Sequence, residues 1–148
     1  PLDAAAEASL ARSFRELSNA SPALQSPIDI NDRSVEVIAR TDDVLMCRFA
    51  ELCEKPRSAH DYIEIAREYH AVLLADVPAL GASNDDAARR FINLVDEFYD
   101  RSVKLIISAE RPILELYDQG RLNFEFQRTQ SRLQEMQSRE YLAREHRP

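Results

Sequence analysis

Two apolar runs on either side of one strongly amphipathic segment constrain the fold of this chain more than any other sequence feature. The runs cover residues 71–76 and 103–108, and their apolar character is typical of strands that are buried on both faces. Between them, apolar side chains recur every three or four residues from 88 to 99, which predicts a helix packed on a core. A strand, a helix and a second strand in this order predict a βαβ unit with parallel strands and a right-handed crossover.

Shorter elements are predicted before this unit. Residues 3–18 form a helix with Asp3 as a cap, because Ala11, Phe14 and Leu17 fall on one face. Three short strands are expected at 28–30, 35–39 and 44–49, and the last two make a hairpin near 33–50.

Two helices have recognisable start signals. Ser58 caps a helix, with Asp61 as its capping-box partner, and Asn84 caps the amphipathic helix. A short helical turn follows Pro112, and one long polar helix is predicted from 124 to 145. The expectation is therefore an α/β domain with a mixed sheet, flanking helices and a long C-terminal helix, in which residues 1–148 form a single domain.

The charge distribution disfavours nucleic-acid binding. The chain has 19 Lys and Arg against 26 Asp and Glu, a formal net charge of −7. Residues 121–148 carry six Arg and four Glu, so this segment alone is positive and is the candidate for contact with anions or an acidic partner. No apolar run reaches the roughly 20 residues that span a bilayer, so stable membrane insertion is not expected.

The cysteines and the first residue bear on cellular context. Cys47 and Cys53 lack the spacing of a zinc site, so no metal is predicted, and two free thiols fit a reducing cytosol. The chain begins at Pro1 and shows no signal-peptide pattern, which suggests a fragment of a longer protein.

Glycine is too rare for a phosphate-binding loop. Gly81 and Gly120 are the only glycines of the sequence, so neither Gly-x-x-x-x-Gly-Lys nor Gly-x-Gly-x-x-Gly can occur. Because backbone amides need glycine to crowd around a phosphate, the chain alone is not expected to bind nucleotide tightly or to need a cofactor.

Two polar residues end the predicted parallel strands. Asp76 follows the first apolar run and Ser108 ends the second, so both should lie at the carboxyl edge of the sheet, where α/β proteins collect ligands. Asp76 imitates the aspartate that holds Mg²⁺ in P-loop ATPases, although no Glu follows it. The other interpretation is a carboxylate that hydrogen-bonds the next loop.

The C-terminal helix has an arginine face. Phe126, Thr129, Leu133 and Met136 fall on one side, while Arg128, Arg132 and Arg139 cluster within about 40° on the other. One interpretation is a solvated face on which Glu135 bridges to Arg139. The alternative is that Arg128 or Arg132 reaches a phosphate or an acidic neighbour, for which a guanidinium fork is suited.

Several long segments in order resemble one protein family. They are ARRFINLVDEFYD (88–100), VKLIISAE (103–110) and FEFQRTQSRLQEMQS (124–138), with AHDYIEIA (59–66) and LLADVP (73–78) in support. They resemble the closing part of the ZapE-type, or AFG-like, AAA+ P-loop ATPases. The resemblance is good over residues 44–147 and loose over 1–43.

This resemblance implies that the chain is the C-terminal part of a larger ATPase whose Walker motifs and arginine finger lie upstream. It implies ATP and Mg²⁺ in the full-length protein, ATP hydrolysis, ring assembly, and association with FtsZ or other division proteins. The expected location is the bacterial cytoplasm at the division site, or mitochondria for a eukaryotic relative. Arg128 and Arg132 lie in the matching Gln-Arg-x-x-Ser-Arg-Leu stretch and are candidates for nucleotide sensing or subunit contact.

Three hypotheses about function remain open at this point. The first is a domain that packs on the N-terminal ATPase half and couples nucleotide state to partner or subunit contacts, without being catalytic alone. The second is a stand-alone interaction module that recruits the ATPase to division proteins through the arginine face or the 28–50 hairpin. The third is an independent small enzyme that uses Asp76 and Ser108.

Overall fold

The computed structural model describes residues 1–19 and 21–148, and its centre is a four-stranded mixed sheet. The strand order is β3-β4-β5-β6, in which β4, β5 and β6 are parallel and β3 is antiparallel to β4. These strands are β3 (Ala39–Arg40), β4 (Val44–Arg48), β5 (Ala71–Val77) and β6 (Lys104–Ala109). The helices are α1 (Ala4–Leu17), α2 (Ala59–Glu68), α3 (Asp85–Asp100), α4 (Asn123–Glu135) and α5 (Arg139–Leu142).

The predicted βαβ unit is confirmed. Strand β5 leads through α3 to β6, and the two strands pair in parallel, with Val72 opposite Leu105. Residues 71–75 are buried because both faces of the sheet are covered. Leu10 and Phe14 of α1 pack on one face. The helices α2 and α3 pack on the other, where apolar burial on both sides is what a parallel sheet requires.

The predicted hairpin is present but shorter than expected. Residues 35–39 do not form one strand: Val35 ends β2 (Arg33–Val35), which pairs with β1 (Ile28–Ile30) in a separate small sheet. Ala39 begins β3 and lies opposite Met46 of β4. The strand is interrupted because the Glu36 amide donates to the Glu51 carboxylate (3.1 Å) instead of to a neighbouring strand.

The carboxylate of Glu51 organises a π-helical turn, Ala50–Glu54, that the sequence pattern did not predict. Glu51 is buried and accepts from Arg57 Nη2 at 2.9 Å and Lys55 Nζ at 2.6 Å. Burial alone would raise the pKa of Glu51, but these hydrogen bonds and charges outweigh burial and lower it. The turn therefore depends on a buried ionised group that is fully partnered.

Two of the three predicted helix caps are confirmed. The Asp3 carboxylate accepts from the Ala6 amide, and Ser58 and Asp61 form the expected capping box at α2. The third prediction, that the Asn84 side chain caps α3, was wrong. Asn84 precedes α3, but its side-chain oxygen accepts from the Gly81 amide (2.9 Å), so it closes the preceding loop rather than capping the helix.

The C-terminal helix is present but ends earlier than predicted, because the helix is interrupted at residues 136–138. Helix α4 ends at Glu135, and Ser138 starts α5 by accepting from the Tyr141 amide (3.2 Å). On one continuous helix, Tyr141 would lie about 140° from the buried Met136. The break brings the Tyr141 hydroxyl into the core, 2.6 Å from the carbonyl oxygen of Val103.

No helix among the described residues is long and apolar enough to cross a membrane.

We expect Tyr141→Phe to lower the free energy of unfolding by about 1–2 kcal/mol, because the Val103 carbonyl would lose a buried hydrogen bond. Urea denaturation at equilibrium measures the change. Tyr99→Phe is the matched control, since the Tyr99 hydroxyl bonds an exposed carboxylate, and it should alter stability by less than about 0.5 kcal/mol. Equal effects of the two substitutions would contradict the anchoring role of Tyr141.

Candidate functional site

Helix α4 presents the two predicted arginines by burying its opposite side. The predicted apolar stripe is confirmed, since Phe126, Thr129, Leu133 and Met136 are all buried. The Phe126 ring lies 6.3 Å from the Phe91 ring of α3, centroid to centroid. This packing fixes the rotation of α4, so its arginine side is turned towards the outer surface of α3.

Arg128 and Arg132 converge on one carboxylate, that of Asp96 on α3. Arg132 Nη1 donates to Oδ1 at 2.5 Å, and Arg128 Nη2 donates to Oδ2 at 3.1 Å. A further ion pair, Arg89 to Glu125 at 3.2 Å, joins the same two helices. Later residues of α3 contact later residues of α4. The two helices therefore run parallel.

The two arginines differ in how firmly they are held. The side chain of Arg132 is 24% exposed, and its guanidinium also lies 4.8 Å over the Tyr99 ring, a cation–π contact. The side chain of Arg128 is 61% exposed, and Asp96 is its one ion-pair partner among the described residues. Arg132 is therefore the anchored member of the pair and Arg128 the accessible one.

The Tyr99 hydroxyl extends this contact network to the C-terminal segment. It donates to Glu135 at 2.7 Å, and Glu135 also accepts from Arg144 at 3.1 Å. The hydrogen bond to Glu135 raises the pKa of Tyr99. The bridge from Glu135 to Arg139, part of the solvated-face interpretation, is replaced by the pair of Glu135 with Arg144, because α4 ends at Glu135 and the chain turns before Arg139.

Asp96 leaves many hydrogen-bond donors of the two arginines unused. One carboxylate faces two guanidinium groups, and each guanidinium has five N–H donors, most of which Asp96 does not use. Planar guanidinium forks suit carboxylate and phosphate oxygens. The site can therefore accept an anionic oxygen group.

Asp76 and Ser108, the two sheet-edge residues, lie together as the strand pairing predicts. The register between β5 and β6 shifts between Leu74 and Val77, and Asp76 adopts a left-handed backbone with φ of 65°. Its amide donates to Ser108 Oγ at 2.9 Å. Its carboxylate accepts from Arg48 Nη1 at 3.0 Å, so Asp76 and Ser108 do not form a nucleophile and base pair.

Asp76 lines a cavity of about 200 Å³ between α1 and the strand ends. A left-handed conformation of a non-glycine residue costs about 1–3 kcal/mol. The exposed Arg48–Asp76 ion pair contributes only about 0–1 kcal/mol. This ion pair therefore does not by itself account for the conformation. Arg48 was not predicted, because the end of a short strand carries no signal for its partner.

The cysteines lie in the core. Cys47 and Cys53 are both buried, and burial raises the pKa of the Cys47 thiol to about 12. Neither belongs to a metal-binding group: within residues 1–19 and 21–148, no cluster of three or more His, Cys, Asp or Glu could hold an ion.

Replacing Asp76 by Gly and by Ala separates the backbone from the carboxylate, since both variants lose the Arg48 contact. Because glycine tolerates positive φ, Asp76→Gly should unfold at nearly the parent urea concentration. Asp76→Ala should be less stable than Asp76→Gly by about 1–2 kcal/mol. Equal stability of the two variants in urea titrations would show that the left-handed backbone is not retained.

Comparisons with known proteins identify one family and several relatives. The model of the AFG1-like ATPase family matches residues 1–145. The chain is 52% identical over 119 residues to the cell division protein ZapE of Escherichia coli K12, which covers 80% of this chain and 32% of that protein. It is 38% identical over 109 residues to the lactation elevated protein 1 homolog B of Danio rerio, covering 74% of this chain and 22% of that protein.

No solved structure matches the chain. The chain spans about a third or less of the length of these curated relatives. The family match nevertheless covers residues 1–145, almost the whole chain. The chain therefore belongs to the AFG1-like ATPase family.

Proposed function

We propose that this chain is the C-terminal domain of an ATP-hydrolysing AAA+ protein of cell division, where it couples nucleotide state to contacts with partners or neighbouring subunits. Its similarity to ZapE over 32% of that protein supports a domain within a longer chain. The domain would pack on the N-terminal ATPase half of the same protein. It would supply charged contacts and no catalytic base.

The observation that carries this proposal is the convergence of Arg128 and Arg132 on Asp96. The two guanidinium groups lie close together on a pair of packed helices. They can bind a phosphate or a carboxylate that approaches the surface. Coupling requires such a contact to be rigidly connected to the rest of the domain. The packing of Phe126 on Phe91 and of Arg132 on Tyr99 supplies that connection.

ATP and Mg²⁺ would be bound outside this chain. With two glycines there is no loop whose amides could surround a phosphate. Asp76 does not fit a magnesium site, because its carboxylate is paired with the Arg48 cation, which opposes a second positive charge. In the full-length protein, Mg²⁺ would supply charge neutralisation at the ATP phosphates.

The proposed partners follow from the family. They are the N-terminal ATPase half, FtsZ or other division proteins, and further copies of the same chain in a ring. The proposed location is the cytoplasm at the bacterial division site. For a chain of eukaryotic origin, the proposed location is mitochondria.

Substitution of the arginines in the full-length protein tests the coupling role. Arg128→Ala and Arg132→Ala should each lower ATP turnover by about tenfold to a hundredfold, corresponding to one charge-assisted hydrogen bond of about 1.5–3 kcal/mol. Arg89→Ala is the matched control, since it removes another ion pair between the same helices, and it should keep the parent rate. Parent turnover in both test variants would reject coupling through these arginines.

A second candidate function is the interaction module, and a surface cavity favours it. A space of about 330 Å³ lies beside the short hairpin, and its walls combine apolar side chains with two cations and two carboxylates: Glu36, Val37, Ile38, Arg48, Ala50, Glu51 and Lys55. Such a surface suits a partner segment with apolar side chains flanked by charged ones. If the module is the main function, the arginine variants keep full turnover, and the isolated chain captures purified FtsZ in a salt-sensitive manner.

A further inference from the structure

Asp96 binds both the anchored and the accessible arginine, but the two arginines differ in their other contacts. Arg132 is held by the Asp96 carboxylate and by the Tyr99 ring. Arg128 is held by the carboxylate through a single 3.1 Å contact on an exposed surface. Loss of that one contact would free Arg128 and leave Arg132 in place.

Three carboxylates of α3 and α4 near Asp96 have partners of their own. Glu125 pairs with Arg89, and Glu135 is bound by Arg144 and the Tyr99 hydroxyl. Glu97, the neighbour of Asp96, pairs with Arg101 along the same helix. Among these four carboxylates, Asp96 is the one that forms ion pairs with two guanidinium groups from α4.

We propose that Asp96 is an internal competitor for Arg128, occupying its guanidinium until an anionic oxygen group displaces the carboxylate. The incoming group is a nucleotide phosphate or a carboxylate of a neighbouring subunit. Both bind guanidinium by the same bidentate hydrogen bonds. Arg132 stays on Asp96 and Tyr99 and positions Asp96, while Arg128 makes the new contact. This inference rests on the proposed coupling function and specifies how that site is regulated.

The exchange is favourable because little is lost when Arg128 leaves. An exposed ion pair is weak, since solvent screens the charges and both side chains lose freedom in forming it. After Arg128 leaves, Asp96 keeps the shorter contact to Arg132, so no carboxylate is left without a partner. The incoming anion then meets a guanidinium whose donors are free.

Asp96→Asn tests the proposal in the full-length protein, because asparagine keeps the shape and removes the competing charge. We expect the variant to bind its anion more tightly by about twofold to fivefold, the effect of releasing one exposed ion pair. The probes are ADP affinity by calorimetry and self-association by sedimentation velocity. Tighter ADP binding identifies a phosphate as the displacing group. Stronger self-association at unchanged ADP affinity identifies a subunit carboxylate.

Two further variants make the result specific. Glu97→Gln removes a neighbouring negative charge and should leave both measurements unchanged, which controls for net charge. The double variant Asp96→Asn with Arg128→Ala should lose the gain and behave like Arg128→Ala alone. Asp96→Glu retains the competing charge and should behave like the parent.

The proposal is overturned if Asp96→Asn leaves both measurements unchanged or weakens either of them, since a merely structural Asp96 can only lose binding. This failure differs from failure of the coupling function. Suppose that Arg128→Ala and Arg132→Ala lower ATP turnover, but Asp96→Asn strengthens neither ADP binding nor self-association. The coupling function is then supported, and competition by Asp96 is rejected. If neither arginine variant changes turnover, the coupling role falls as well.

Discussion

Helix α3 is packed against the parallel sheet through one broad apolar side, and this contact decides where the second half of the chain can lie. Ala88, Phe91, Ile92, Val95 and Phe98 are all buried. Because β5 and β6 are parallel, the chain must cross the sheet between them, and α3 makes that crossing. The remaining sides of α3 then offer fixed surfaces to α2 and to α4.

The arginine site is a consequence of how α4 joins α3. Phe126 packs between Phe91 and Tyr117, and this aromatic contact sets the position of α4 along α3. Once α4 is parallel to α3 in this register, Arg128 and Arg132 both reach Asp96. The break before α5 lets Tyr141 reach the base of β6, which ties the end of the chain to the same core. The charged site is thus held in place by the aromatic packing of α4 and by the Tyr141 hydrogen bond.

Much of the fold could be predicted because its signals are local and periodic. The apolar runs at 71–76 and 103–108 and the spacing of Phe91, Val95 and Phe98 identify the βαβ unit without tertiary information. The buried stripe of α4 follows from the same periodicity. The division of residues 35–39 between two sheets could not be predicted, because it depends on Glu51, which is distant in sequence and buried by tertiary packing.

The same contrast applies to the site residues. Arg128 and Arg132 are visible on a helical projection, and the meeting of Asp76 with Ser108 follows from parallel strands. Asp96 was not identified as their partner, because a single sequence does not contain the register between α3 and α4. The left-handed backbone of Asp76 was also missed, since aspartate adopts it without any glycine to mark the position.

Hydrogen–deuterium exchange of the full-length protein, with and without ADP, tests the central claim most directly. If the domain couples nucleotide state to its surface, ADP should change amide protection in α4 and around Asp96, where the arginines reorganise. The small sheet of β1 and β2 should exchange at the same rate in both states and serves as the internal reference. Identical protection across α3 and α4 with and without ADP would contradict the account.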